Sequence, residues 1–298
     1  MPEPVAARED GFFVDADGVE IHCYRWDAAR PKAVVQLVHG LGEYATRYEQ
    51  GGFVGALVAA GYSVAAEDHR GHGRTGLGQW GGDASRLGRL GPGGWRSTLA
   101  AVHRFTGLLR ERDPELPLVL IGQSLGSIIA QQLIDAHAGD YDAVVLAGTA
   151  YRTVRHMNAG DLNKRHARLG PTTAEWLSRD REVVEAFVAD PLTFEAKTIE
   201  LFGIVDSLRL LGRPGRLAKR LPMLIVIGEE DPLGGPRSVG LLARAYRERG
   251  GLDDVTVRVY PGARHELFNE TNREEVLADL VAWLDSRVPA PRAAPSAG

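Results

Sequence analysis

The segment Gly122–Gly126 (GQSLG) contains the serine whose surroundings best fit a nucleophile. It matches the pattern G-x-S-x-G, follows the apolar run Leu116 to Ile121 and opens a segment with helical spacing. A serine in this setting lies on a strained turn between a strand and a helix, where it can attack a carbonyl carbon. We therefore predict that Ser124 is a catalytic nucleophile; the alternative is an ordinary serine cap of the helix.

A serine hydroxyl is a poor nucleophile without a base, and His265 is the best placed of the nine histidines. It follows the predicted strand Val255 to Tyr260 and precedes the last predicted helix. His69 and His72 lie before Ser124 in the chain and are interpreted as shaping the loop after Asp68. We predict that His265 is the general base.

The histidine of such a site needs a carboxylate that fixes its tautomer and stabilises its charged form. Asp231 follows the predicted strand Met223 to Ile227 and is the best candidate. Glu229 and Glu230 precede it directly and remain alternatives, because a carboxylate of either type can serve. The resulting chain order of serine, acid and histidine is typical of enzymes whose nucleophilic serine lies on a turn between a strand and a helix.

Hydrolysis through a serine also needs two N–H groups that bind the oxyanion of the tetrahedral intermediate. The backbone N–H of Leu125, directly after the candidate nucleophile, is predicted to be one donor. The other is predicted to be the N–H of Leu41, in the glycine-rich loop His39–Gly42 that follows the apolar run Ala33 to Val38.

Strand signals alternate with helix signals on both sides of these residues, which predicts a mostly parallel sheet covered by helices on both faces. Two strands are also expected to pair around a turn at residues 16–18. Predicted strands cover 11–15, 19–26, 33–38, 62–66, 116–121, 143–147, 223–227 and 255–260, and predicted helices cover 51–60, 94–112, 125–137, 238–249 and 273–286.

The alternation stops between residues 151 and 220, where only helical patterns appear. We predict that 151–220 is a helical cap, that 1–150 and 221–288 form one α/β core, and that 289–298 is a flexible tail. An independent domain is the alternative for 151–220. The cap carries two apolar stripes, which either line an acyl tunnel or pack the cap against the sheet; the stripes are Trp176, Leu177, Val183, Val184, Phe187 and Val188, and Leu201, Ile204, Val205, Leu208 and Leu211.

The composition excludes several classes of protein. The net charge is −4, with 35 basic and 39 acidic residues, so we expect no nucleic-acid partner. The single cysteine, Cys23, allows no internal disulfide, and we expect neither a metal nor a cofactor. No signal peptide or membrane-spanning run is visible, so a cytoplasmic protein is expected. The oligomeric state is left open.

Five blocks of sequence resemble the monoacylglycerol lipase and lysophospholipase branch of the α/β-hydrolases, which is also grouped with serine aminopeptidase-like hydrolases. His39–Tyr44 is similar to its HGxGEH block, with Tyr44 for the usual histidine, and Asp68–Thr75 is similar to DxRGHGxS. Gly122–Gly126 resembles GHSMG. Gly228–Asp231 and Tyr260–Glu266 match the acid and histidine blocks.

The resemblance implies an α/β-hydrolase fold with a cap and a serine ester hydrolase that cleaves monoacylglycerols or similar single-chain acyl esters. The expected partner is thus a small acyl ester, and peripheral membrane contact through the cap is left open. Alternatives are a general carboxylesterase or lysophospholipase, and an acyltransferase or a hydrolase of peptide-like bonds that uses the same residues. A non-catalytic binding protein of the same fold is the alternative outside enzymes.

Overall fold

A computed structural model describes residues 7–291 of the chain, and of the predicted tail the positions from 292 onward lie outside this range. Its centre is one sheet of eight strands. The strands are β1 (Arg8–Val14), β2 (Glu20–Trp26), β3 (Ala33–Val38), β4 (Tyr62–Glu67), β5 (Leu118–Gln123), β6 (Ala143–Ala147), β7 (Met223–Gly228) and β8 (Val255–Tyr260).

The strands lie in the order β1-β2-β4-β3-β5-β6-β7-β8. β1 and β2 form the expected antiparallel hairpin, β2 pairs antiparallel with β4, and every later pair is parallel. From β3 the chain first moves to β4 on one side and then to β5 on the other. The loops after β3 and β5 therefore meet at a switch point, where open α/β sheets bind their ligands beyond the carboxyl ends of the strands.

Helices cover both faces of the sheet, as predicted. They are α1 (Arg47–Gln50), α2 (Phe53–Ala59), α3 (Gly73–Gln79), α4 (Gly94–Arg112), α5 (Leu125–His137), α6 (Arg181–Ala189), α7 (Thr198–Arg209), α8 (Gly235–Ala245) and α9 (Arg273–Arg287). A π-helical turn, Tyr246–Gly250, extends α8. α4, α5 and α8 pack on one face, whereas α2 and α9 pack on the other.

The central strands are buried on both faces because helices cover both. In β5, Leu118 and Leu120 contribute to the core on the α5 side, and Val119 and Ile121 contribute to the core on the α9 side. This alternation follows from the twofold period of a strand. It explains why the sequence shows these strands as continuous apolar runs.

Some element boundaries differ from the prediction. The helix expected over 51–60 is α2, which begins only at Phe53 because Gly52 before it has a φ of 79°, outside the helical range. The four-residue α1 before it was not predicted. α3 was not predicted, because its run GRTGLGQ has three glycines and no apolar stripe. β5 begins two residues later than expected, after Pro117, which lacks the N–H that a sheet hydrogen bond requires.

The segment between β6 and β7 contains α6 and α7 and, within the part of the chain that the structure describes, no strand. α7 is kinked at Gly203, which has a φ of 75° and nothing near the position of a side chain. The first apolar stripe is largely buried, with Trp176, Leu177 and Val184 in one small core. Residues Ile204, Val205 and Leu208 of the second stripe are more than half exposed.

Candidate active site

Ser124 lies between β5 and α5 in a strained backbone conformation. Its φ of 55° and ψ of −120° make it the one non-glycine residue with positive φ among residues 7–291. A Cβ on Gly126 would lie 1.9 Å from the carbonyl oxygen of Val38, and a Cβ on Gly122 would lie 2.3 Å from the oxygen of Gly126. Only glycine therefore allows this close turn, and backbone strain of this kind is concentrated at functional sites.

His265 and Asp231 are in direct contact although 34 positions separate them. The Nδ1 atom of His265 lies 2.8 Å from Oδ2 of Asp231, and both side chains are buried. The other carboxylate oxygen of Asp231 accepts a hydrogen bond from the N–H of Leu233 at 2.8 Å. Nε2 of His265 makes no hydrogen bond to another described residue, so it is available to a reacting group.

The environment of His265 favours its charged form. Burial lowers its pKa, but the charge of Asp231 and the hydrogen bond to it outweigh burial, so the pKa is raised above the ordinary value of 6.5. A second contact connects the histidine loop to the nucleophile strand, since Nε2 of Gln123 donates to the carbonyl oxygen of His265 at 3.0 Å.

The two alternative acids, Glu229 and Glu230, have other contacts. Oε2 of Glu229 accepts a hydrogen bond from the N–H of Gly262 at 2.9 Å, which closes the turn after β8. Oε2 of Glu230 lies 3.6 Å from Nε2 of His166 in the segment between β6 and β7. Among the three acidic residues, Asp231 is thus the one that contacts His265.

The loop after β3 lies against Ser124. A Cβ on Gly40 would lie 3.1 Å from Cβ of Ser124, so a larger residue there would crowd the serine. Leu41 and Leu125, whose N–H groups are the predicted oxyanion donors, line the same cavity as Ser124. The loop His39–Gly42, which carries the predicted donor Leu41, is called the donor loop below. The structure therefore brings the predicted nucleophile, base, acid and donor loop to the carboxyl edge of the sheet.

A buried charge network, which the sequence analysis missed, connects the donor loop to the histidine loop. Oε1 of Glu43 accepts from the N–H of Gly40 at 2.6 Å and from the hydroxyl of Tyr48 at 2.8 Å. The Arg47 guanidinium donates to Glu43 at 2.9 Å and to Glu266 at 3.0 Å. Because one guanidinium serves two buried carboxylates, burial and the charge of Glu266 raise the pKa of Glu43. The spacing of Glu43 and Arg47, one helical turn, was the available signal.

The segment between β6 and β7 packs directly on the histidine loop. The carbonyl oxygen of Leu177 accepts hydrogen bonds from the N–H groups of His265 and Glu266, at 3.1 and 2.7 Å. The ring of Trp176 lies 4.7 Å from the ring of His265, centroid to centroid. The same segment contacts the chain just after the donor loop, where the hydroxyl of Tyr44 donates to Asp190 at 2.5 Å.

A cavity of about 340 Å³ opens at Ser124. Its lining is mostly apolar and comes from α5 and from the segment between β6 and β7; it includes Ile128, Val154, Met157, Ile204, Leu208 and Leu211. The volume falls in the range of small-molecule pockets. Part of the second apolar stripe therefore lines a cavity, whereas most of the first stripe packs in a core.

Another group of titratable residues lies far from this site. The ligand atoms of His103, His137 and Asp140 are within 4.8 Å of one another, a cluster that the sequence does not reveal because the histidines lie on α4 and α5. His137 ends α5 and Ser124 directly precedes this helix, so the cluster is about 20 Å along the helix from Ser124.

No helix within residues 7–291 is long and apolar enough to cross a membrane.

Comparisons with known proteins identify relatives of the whole chain. The sequence profile of the family described as "Serine aminopeptidase, S33" matches residues 29–272. A monoacylglycerol lipase of Mycolicibacterium smegmatis is 33% identical over 311 aligned positions, which cover 95% of this chain and 99% of the relative. A monoglyceride lipase of Homo sapiens is 27% identical, with coverage of 96% and 93%.

Solved structures share the fold. A thermostable carboxyl esterase from Bacillus coagulans superposes with a TM-score of 0.78 at 23% identity, over 95% of this chain and 99% of the esterase. A monoglyceride lipase variant from Saccharomyces cerevisiae superposes with a TM-score of 0.76 at 20% identity, over 97% and 99% of the two chains. The predicted α/β-hydrolase fold is confirmed.

Proposed function

The chain belongs to the serine aminopeptidase S33 family of α/β-hydrolases and is a carboxylic ester hydrolase, and from this premise we propose that it cleaves monoacylglycerols or similar single-chain acyl esters. The proposal assigns Ser124 as nucleophile, His265 as general base and Asp231 as the acid that orients it. The observation that carries it is the apolar cavity that Ser124 shares with Leu41 and Leu125.

In the proposed reaction, Ser124 Oγ attacks the ester carbonyl carbon while Nε2 of His265 takes the hydroxyl proton. The N–H groups of Leu41 and Leu125 hold the oxyanion of the tetrahedral intermediate. His265 then gives the proton to the leaving alcohol, and an acyl group remains on Ser124. Water attacks this acyl-enzyme with His265 again as base, which releases a fatty acid and restores the serine.

The substrate class is supported by the chemistry of the cavity. Its mostly apolar lining lets a hydrocarbon chain leave water with few polar groups beside it that would need hydrogen bonds. We propose that residues 151–220 act as a cap, since this segment supplies most of that lining. Ile204 and Leu208 line the cavity and, like Val205, are more than half exposed, which is compatible with the membrane contact that the sequence leaves open. The cytoplasmic location stays a prediction.

The test compares hydrolysis of p-nitrophenyl esters from C2 to C16, 1-monoacylglycerols and lysophosphatidylcholine by wild type and Ser124→Ala. We expect activity to peak on medium or long monoacylglycerols and to fall by about 10⁶-fold in kcat in the variant, as for other serine triads. Ser127→Ala is the matched control, because the hydroxyl of this neighbouring serine donates to the carbonyl oxygen of Ser124 at 2.6 Å and to no other group within residues 7–291. Retained activity in Ser124→Ala would overturn the assignment of the nucleophile. Activity on short esters alone would contradict the monoacylglycerol hypothesis and indicate a general carboxylesterase.

A further inference from the structure

The direction of the Leu41 N–H is fixed by a histidine in the same loop. This N–H belongs to the peptide group whose carbonyl oxygen is that of Gly40, and that oxygen lies 2.8 Å from Nδ1 of His39. In a trans peptide the C=O and N–H bonds point in opposite directions. Because the His39 ring holds the oxygen on one side, the Leu41 N–H must point to the other side.

The proton of His39 is in turn fixed by His69. The backbone N–H of His69 donates to Nε2 of His39 at 3.0 Å, so this nitrogen is an acceptor and the proton of the neutral ring is on Nδ1, facing Gly40. Burial and the charges of His69 and His72 hold the pKa of His39 well below its ordinary value, which keeps the ring neutral. The two rings stack with centroids 3.8 Å apart.

His69 also holds the preceding peptide of the loop. Its Nε2 lies 3.1 Å from the carbonyl oxygen of His39, and the N–H of the same peptide, that of Gly40, donates to Glu43. Both polar atoms of this peptide are therefore bound by buried side chains. The peptide cannot rotate without breaking two hydrogen bonds.

Glu67, at the end of β4, determines which nitrogen of His69 carries the donated proton. Its Oε1 lies 2.5 Å from Nδ1 of His69, and Glu67, His69 and His39 are all at most 2% exposed. Both ring nitrogens of His69 face oxygen atoms, and donation to the carbonyl oxygen of His39 requires a hydrogen on Nε2. Without Glu67, a tautomer with its proton on Nδ1 alone would leave the oxygen of His39 without a donor.

We propose that Glu67 and His69 are positioning residues of the oxyanion hole, acting through His39 and Gly40 on the N–H of Leu41. The inference rests on the proposed function, because it assumes that this N–H binds the oxyanion. It gives the loop after β4 a role in catalysis although neither residue touches the substrate.

The test measures kcat and KM for Glu67→Leu, Glu67→Gln and His69→Phe. Glu67→Leu removes the partner of Nδ1, and His69→Phe keeps the stacked ring while removing both contacts. We expect kcat to fall by about 10- to 100-fold in these two variants, with KM changed by less than about threefold, because the donor acts mainly in the transition state. Glu67→Gln is expected to recover kcat to within about threefold, since its amide N–H can donate to Nδ1 and leave the proton on Nε2.

A second readout is the inhibition constant of an alkyl trifluoromethyl ketone, whose adduct with Ser124 carries an oxyanion. This constant is expected to rise by the same factor as kcat/KM falls across the three variants. Thr106→Val is the matched control for a lost buried hydrogen bond, because Thr106 Oγ1 donates to Gln36 at 2.8 Å inside the core. It should lower the melting temperature and leave kcat unchanged.

Ser124→Ala, assayed alongside, separates the two proposals. If Ser124→Ala loses activity while Glu67→Leu and His69→Phe keep wild-type kcat, the positioning role is overturned and the proposed function stands. If Ser124→Ala keeps its activity, the proposed function is contradicted, whatever the other variants show.

If the variants do not fold, ¹⁵N spectra of the wild-type imidazoles test the positioning role instead. We expect a proton on Nδ1 of His39 and on Nε2 of His69, and the reverse placement would contradict the inference.

Discussion

At the scale of single residues, the site depends on groups held in states that they would not adopt in water. Ser124 keeps a backbone conformation that L-residues rarely adopt, and the buried ring of His265 is held by one carboxylate. Such strain costs about 1–3 kcal/mol per residue and persists only where the surrounding structure enforces it. Here the enforcement comes from Gly122 and Gly126, whose lack of a side chain lets the turn close.

The raised pKa of His265 predicts the acid side of the pH–rate profile. The protonated ring cannot accept the serine proton, so activity should fall as the pH drops through the pKa of this group. We expect the acid limb of kcat/KM on a p-nitrophenyl ester to have its midpoint above 6.5, the ordinary value. His156→Gln, which alters a histidine that contacts Thr153 instead, should leave the midpoint unchanged. A wild-type midpoint at or below 6.5 would contradict the prediction.

At the scale of elements, each part of the site follows a strand and lies at the same edge of the sheet. Ser124 follows β5, the donor loop follows β3, Asp231 follows β7 and His265 follows β8. These four strands are parallel, so their carboxyl ends lie at the same edge of the sheet. The helix after Ser124 also directs its free N–H groups and the positive end of its dipole toward the proposed position of the oxyanion.

The close approach of α5 to β3 makes Gly126 intolerant of a side chain. Gly126→Ala would bring Cβ into the carbonyl oxygen of Val38, and we expect the free energy of unfolding to fall by at least about 2 kcal/mol. Gly107→Ala is the matched control, because Gly107 lies in the exposed part of α4 with no atom near the added Cβ. It should stabilise the protein by up to about 1 kcal/mol. Urea unfolding of both variants measures the two values, and equal effects would contradict the packing argument.

At the scale of the whole molecule, the pairing of β3 with β4 brings together three buried histidines at the donor loop. His39, His69 and His72 come from the loops after β3 and β4, and their rings lie within 6.0 Å of one another, centroid to centroid. Burying neutral imidazole in the folded state makes stability depend on pH. The proposed positioning of the Leu41 N–H and the acid stability of this protein therefore involve the same cluster.

His72 gives this dependence a sign and a size. Burial and the charge of His69 lower its pKa to about 3, whereas the unfolded chain has the ordinary value of 6.5. Below pH 6.5 the unfolded state binds the extra proton, so stability is present above pH 6.5 and decreases as the pH falls toward 3. Between pH 7 and pH 5 this group accounts for about 2 kcal/mol of lost stability.

The measurement compares the wild type with His72→Asn, whose amide keeps a donor near the carbonyl oxygen of Arg70 that Nδ1 contacts at 3.0 Å. The variant should lose about 2 kcal/mol less than the wild type between pH 7 and pH 5 in urea unfolding. Equal losses in the two proteins would show that His72 is not held neutral in the folded state.

The sequence by itself determined the local features of this protein. The alternation of strands and helices, the turn at Ser124 and the order of Ser124, Asp231 and His265 follow from spacing and residue type along the chain, because strand period, helix period and turn sterics act over a few residues. The fold class and most element boundaries were predictable for this reason. Neither α1 nor α3 was predicted, because α1 is only four residues long and the glycine-rich sequence of α3 carries no helical period.

Only the tertiary structure decided which residues meet. Glu229, Glu230 and Asp231 are adjacent in sequence, and only the fold shows that Asp231 contacts His265. The fold likewise brings Arg47 to Glu266, which is distant in sequence. It also places the side chain of Glu67 against His69. The energies of these contacts arise from burial, which removes water and makes each hydrogen bond obligatory. Burial depends on strand order and helix packing, and these properties belong to the folded chain as a whole.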